Sequence, residues 1–115
     1  VKKFNSLVRA MVEAELSRPR SKALFREIPS AEIWPHYREK VARPLSLGCI
    51  LKRAQALDYT SLHLVMEDVN LLHANSCVFN GELHGVTVEA KEVVTRMYEW
   101  LTRRLAKQQL MDRVG

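Results

Sequence analysis

All four prolines of this 115-residue chain, Pro19, Pro29, Pro35 and Pro44, fall between residues 19 and 44. Proline fixes φ, offers no backbone N–H and pushes the residue before it out of the α region. A continuous long helix or a central strand through this stretch is therefore excluded, and the regular structure must lie on either side. Upstream, Phe4, Leu7, Val8, Met11 and Val12 follow the i, i+3, i+4, i+7, i+8 stripe of a buried helix face. This predicts a first helix from about Val1 to Ser17, ended by Pro19. Downstream, Ser46 is a candidate N-cap for a short second helix running to about Leu57. Asp58-Tyr59-Thr60 breaks it, and Thr60 or Ser61 caps a third helix reaching about Phe79, with Leu62, Val65, Val69 and Leu72 as its buried stripe. Asn80-Gly81 signals a turn. A last helix is expected from about Val86 to Asp112, with Val86, Ala90, Val93, Met97, Leu101 and Leu105 at helical spacing.

The proline-bearing stretch, about Arg18 to Ser46, is expected to be an irregular loop. It carries Leu24, Phe25, Ile28, Ile33, Trp34, Tyr37 and Val41, too many apolar groups to leave in water. Long loops inside compact domains are usually functional, so this one should pack on the body and line something. The expected fold is all-α: a four-helix up-down bundle with a long loop between helices 1 and 2, forming one domain over residues 1–115. Antiparallel succession puts both termini at one end. The long loop and the loop after Asn80 then meet at the other end and frame a pocket.

Bulk properties narrow the function classes. The chain suits a single core at 47% hydrophobic residues, and no run of 18 apolar residues is present to span a membrane. Val1-Lys2-Lys3-Phe4 lacks the apolar stretch of a signal peptide, and the missing start Met points to a segment of a longer protein. Cys49 and Cys77 form no C-x-x-C pair and read as reduced thiols of an intracellular protein. The net charge of +5 sits at the ends: +4 over residues 1–22, +3 over 101–115 and −2 over 23–100. No Ser/His/acid set, Gly-rich phosphate loop or H-E-x-x-H motif is present, so no enzyme and no cofactor are expected. His73 and Cys77 have an i, i+4 spacing that can hold a metal, but a structural zinc needs four ligands and no partners stand out, so no metal is expected.

Several segments, taken in order, resemble a bromodomain. They are Ala23-Leu24-Phe25-Arg26-Glu27-Ile28-Pro29, then Trp34-Pro35-His36-Tyr37, then Val41-Ala42-Arg43-Pro44-Leu45-Ser46-Leu47, and after these Tyr59, Asp68, Leu72 and Asn75. Val78-Phe79-Asn80 comes last, with Val86 six residues after Asn80. The resemblance covers nearly the whole chain. It implies an acetyl-lysine reader in which Asn80 donates a side-chain N–H to the acetyl carbonyl and Tyr37 reaches the same oxygen through a water. It further implies that Val86 is the gatekeeper and Phe25 the pocket floor. Phe79, Ile28, Ile33 and Trp34 are the implied wall residues, with Pro29 as the alternative to Ile28. Asn75 and Pro44 are implied structural residues near the pocket. Phe79 stands where the family often has Tyr, and Ala23-Leu24 replaces an aromatic shelf found in some members.

The chemistry fits that reading. Acetylated lysine is an uncharged methyl and amide, which asks for apolar walls, one donor and no carboxylate. Plain lysine would bury an unpaired ammonium there, at several kcal/mol. On spacing alone, each residue has a plainer role: Asn80-Gly81 as a helix-ending turn, Tyr37 as packing, Val86 as first-turn core, Asp68 and Asn75 as structural polar groups. The expected partners are acetylated protein peptides, histone tails foremost, bound by a monomeric domain in the nucleus. Glu27, Glu32 and Glu82 could attract basic flanking residues. Two rival readings stand beside it. One is a helical scaffold with an inactive pocket. The other is a nucleic-acid-binding domain using Lys2-Lys3 and Arg103-Arg104-Lys107, and a weak DNA contact is also compatible with the reader as a secondary activity.

Overall fold

The computed structural model describes residues 1–30, 32 and 34–114. Among them are six helices and no strand: α1 (Lys2–Leu16), α2 (Pro19–Phe25), α3 (Tyr37–Lys40), α4 (Leu47–Gln55), α5 (Leu62–Asn80) and α6 (Gly85–Val114). The all-α class is as expected. Helix α1 packs on α4 and α6, α5 packs along α6, and α4 touches α5. These four are the bundle; α2 and α3 belong to the long connection.

Each bundle helix buries one stripe. In α1 it is Val8, Met11 and Val12, joined by the polar Asn5 and Glu15. In α6 it is Ala90, Val93, Met97 and Leu101, each at most 1% exposed. The buried polar groups are satisfied. Asn5 clamps the turn before α5: its Nδ2 donates to the Tyr59 carbonyl at 2.8 Å and its Oδ1 accepts from the Tyr59 N–H at 3.1 Å. Glu15 accepts from Arg96 Nη2 at 2.6 Å and from Ser21 Oγ at 2.8 Å, tying α1 to α6 and α2. Ser46 and Ser61 cap α4 and α5 by accepting from the Cys49 and Leu64 N–H groups.

The connection departs from the expected irregular loop over α2, residues 19–25, and over the single turn α3, residues 37–40. Pro19 does end α1 as expected, but it also starts α2, at the first-turn position where its missing N–H costs nothing. Ser21 and Phe25, one helical turn apart, then bury the inner face. Just past α2, the Gly48 N–H donates to the Arg26 carbonyl at 3.0 Å. A Cβ on Gly48 would lie 2.8 Å from that oxygen, so glycine lets α4 hold the connection by its backbone. Farther on, the chain reverses through Trp34 and His36, with His36 left-handed at φ 70°, and enters the single turn α3.

Candidate functional site

A small cavity of about 130 Å³ opens at the end of the bundle where the long connection meets the end of α5. The connection supplies Ala23, Leu24, Phe25, Glu27 and Pro29, then Trp34, Tyr37 and Leu45. Helix α5 supplies Leu72, Asn75, Ser76, Phe79 and Asn80, and Val86 closes the ring from the start of α6. The α5 contribution follows from helical spacing, since Leu72, Asn75, Ser76, Phe79 and Asn80 share one face at i, i+3, i+4, i+7 and i+8.

The walls are aromatic on one side. The ring of Phe79 meets Tyr37 edge-to-face at 4.9 Å between centroids and Trp34 at 5.4 Å. Lys40 Nζ lies 5.7 Å from the same ring. Half-burial of Tyr37 raises its pKa through desolvation, so its hydroxyl is protonated and able to donate near neutral pH. Asn75 Nδ2 donates to the Arg43 carbonyl at 2.9 Å and so pins the connection against α5. Arg43 in turn reaches Asp68 with its guanidinium, Nη2 to Oδ1 at 2.6 Å. Arg43 thus ties the connection to α5 twice, through its carbonyl and through its guanidinium.

Asn80, half-buried, is the last residue of α5, and Gly81 leaves the helix at φ 94°. Its Nδ2 donates to Ser76 Oγ at 3.1 Å. An amide nitrogen carries two hydrogens; the second, and the amide oxygen, have no partner among the described residues. Ser76 Oγ also meets Thr87 Oγ1 at 2.7 Å, and both hydroxyls are buried. Glu27 is exposed and stands at the mouth, so the lining contains one hydrated carboxylate that the expected residue set did not include.

The structure brings Phe25, Trp34, Tyr37, Asn75, Phe79, Asn80 and Val86 around one cavity. Ile28 is placed elsewhere: it faces a trough of about 800 Å³ between α1, α2 and α4, beside Leu51 and Lys52, and Pro29 takes its expected position. One residue of shift after α2 turns the side chain to the opposite side of the backbone. Ile33 lies outside the described residues. Pro44 is half-buried and does not line the cavity, whereas its neighbour Leu45 does. Sequence reasoning missed Ser76 and Thr87. Both were findable, Ser76 as the i−4 neighbour of Asn80 on its helix face and Thr87 as the residue after Val86. The wide trough is the larger space, but it is open and rimmed by Glu13, Lys22, Arg26 and Lys52. Of the two spaces, the small cavity combines aromatic walls with an inward amide and the trough does not. Among the described residues, no three His, Cys, Asp or Glu gather as a metal site, and His73 and Cys77 only approach each other, Nε2 to Sγ at 3.4 Å.

The family model of the bromodomain matches residues 8–92. The chain belongs to the bromodomain family. Its curated relatives include transcription initiation factor TFIID subunit 1 of Caenorhabditis elegans, 30% identical over 97% of this chain. Bromodomain-containing protein bet-1 of the same organism is 36% identical over 51% of it, and nuclear protein STH1/NPS1 of Saccharomyces cerevisiae is 26% identical over 87%. The chain spans only 6–7% of the length of these relatives. Bromodomains are acetyl-lysine-binding modules rather than a catalytic family. No helix among the described residues is long and apolar enough to cross a membrane.

Proposed function

We propose that this bromodomain reads acetylated lysine on histone tails, with the acetyl group held in the cavity between the long connection and the end of α5. The observation that carries the reading is the Asn80 amide, half-buried and anchored by one hydrogen bond, at the edge of a cavity walled by Phe25, Pro29, Trp34, Phe79 and Val86. In this reading the second Asn80 N–H donates to the acetyl carbonyl. The Tyr37 hydroxyl reaches the same oxygen through a water, a common and inexpensive bridge. Val86 flanks the ligand, and Phe25 lies beneath its methyl. At about 130 Å³ the space is well below the ~300 Å³ of a drug-sized site, which suits a short acyl cap.

Selectivity follows from desolvation. An unmodified lysine would carry its ammonium past the hydrated Glu27 into a region with no anion to receive it, at several kcal/mol. It would also leave the Asn80 donor unmatched, at about 1–3 kcal/mol. The relatives named as a transcription initiation factor subunit and as a nuclear protein support a nuclear setting. Nucleic acid is the weaker reading. In the basic groove between α1 and α6, Arg96 and Arg103 already face Glu15 and Glu99.

Calorimetric titration with histone-tail peptides, each acetylated and unmodified, tests this reading on the wild type and on Asn80→Ala. Binding confined to acetylated peptides and lost in the variant is expected. Equal behaviour of the two proteins toward every acetylated peptide would remove it.

A further inference from the structure

Two hydroxyls stand behind the pocket amide where apolar side chains would pack without cost. Ser76 is 6% exposed and Thr87 fully buried, on different helices, with their oxygens 2.7 Å apart. Ser76 Oγ is also 3.1 Å from Asn80 Nδ2. An amide nitrogen can only donate, so Ser76 accepts in that bond and has its own proton to give to Thr87. The three side chains form a chain running from the interface of α5 and α6 to the cavity wall.

We propose that Ser76 and Thr87 are positioning residues that hold the Asn80 amide ready for the acyl carbonyl. The inference deepens the reading of the cavity as an acetyl-lysine site and rests on it. Asn80 ends its helix, and Gly81 at φ 94° carries the backbone away, so no further helical turn supports its side chain. Two free torsions would let the donor wander, and fixing them at the moment of binding weakens affinity. Ser76, one turn earlier on the same face, fixes them beforehand. A helical serine left alone tends to turn its hydroxyl onto its own i−4 carbonyl. Thr87, reaching across from α6, gives that proton a different partner and leaves a Ser76 lone pair aimed at Asn80. Bonds in such a chain polarise one another, so the contact with Thr87 strengthens the Ser76–Asn80 bond that fixes the amide.

The test uses three variants and two readouts. Thr87→Val keeps the shape and removes the hydroxyl; Thr87→Ser keeps the hydroxyl and removes the methyl; Ser76→Ala cuts the chain next to Asn80. The first readout is the Asn80 side-chain amide in ¹⁵N NMR, without ligand. Its two protons are expected to be well separated and slow to exchange in the wild type. Ser76→Ala and Thr87→Val should bring them together and speed their exchange, and Thr87→Ser should leave them in place. The second readout is the Kd for an acetylated peptide. It should weaken about five- to tenfold in Ser76→Ala and about two- to fivefold in Thr87→Val, with Thr87→Ser near wild type. Equal losses in Thr87→Val and Thr87→Ser would mean packing alone and overturn the proposal, as would an Asn80 amide unmoved by Ser76→Ala. If the wild type binds no acetylated peptide, the acetyl-lysine reading fails, while the ligand-free spectra still decide whether the pair holds the amide.

Discussion

Asp68 and Asn80 stand on the same helix, α5, and each turns a polar group inward, yet one is saturated and the other is not. The Asp68 carboxylate, 1% exposed, receives Arg43 and Tyr59 at 2.6 Å each and Arg53 in a further short bond. Asn80 has one side-chain bond, to Ser76. The Asp68 cluster spans the connection (Arg43), the second bundle helix (Arg53) and the turn before α5 (Tyr59), and leaves no room for a ligand. Asn80 faces a cavity with a donor to spare. A buried group with both oxygens bonded to fixed donors holds architecture; one kept partly unmatched costs a little stability and is available for recognition.

The largest effect should come from breaking the saturated side. Asp68→Ala removes the acceptor of three donors. Arg43 and Arg53 are 55% and 36% exposed and can turn to water, but the fully buried Tyr59 hydroxyl cannot. Discounting the arginines, a loss of about 2–4 kcal/mol is expected in urea denaturation. A loss under about 1 kcal/mol would mean that water satisfies the cluster and that the contrast with Asn80 is one of degree only. Asn80→Ala should behave oppositely, changing stability by less than about 1 kcal/mol while weakening acetylated-peptide binding at least about tenfold. If it instead costs as much stability as Asp68→Ala, Asn80 belongs to the architecture.

The same contrast explains how much of the molecule is legible in the sequence. The stripes of α1, α5 and α6 are readable because burial repeats every three to four residues. Asn80 is locatable because it ends a periodic helix just before Gly81. Helix α2 is not, because seven residues beginning with proline show too little periodicity, and its buried face holds only Ser21 and Phe25. The placement of Ile28 fails for a related reason. Beyond α2 no period fixes which way a side chain points, and the constraint that does, the Gly48 N–H on the Arg26 carbonyl, joins residues 22 apart. Asp68 reads as a structural polar residue, but its three partners come from distant segments that only the fold brings together.

A smaller effect tests whether the Asp68 cluster is sealed. Desolvation, together with the bond to the Asp68 carboxylate, raises the Tyr59 pKa well above the ordinary value near 10. Below pH 10 the folded and unfolded chains both keep this proton, and its contribution to stability is complete. Above pH 10 the unfolded chain releases the proton and the folded one retains it, so stability falls, by at most about 1.4 kcal/mol per pH unit. Tyr37, shifted upward by half-burial, adds a share in the same direction. Denaturation midpoints between pH 9 and 11 should therefore drop more steeply for the wild type than for Tyr59→Phe. Parallel slopes would show that Tyr59 ionises as easily folded as unfolded.

The smallest effect belongs to the open side. Glu27 lines the mouth of the cavity but is exposed, so its charge acts through water and is screened within about 10 Å at 0.1 M salt. It cannot hold an ammonium inside the cavity, and it can favour a cation flanking the acetylated residue. Glu27→Gln should weaken binding of peptides with Lys or Arg beside the acetylated residue by only about two- to threefold, as for an exposed ion pair. Peptides with neutral flanks should bind both proteins alike, and the difference should vanish as salt rises toward 0.5 M. A loss of affinity for unmodified lysine relative to acetyl-lysine on removing Glu27 would contradict this division, since the carboxylate would then be receiving the ammonium inside the cavity. A large loss with every peptide, insensitive to salt, would move Glu27 from the rim into the pocket and place it beside Asn80 as a second inward-facing polar group.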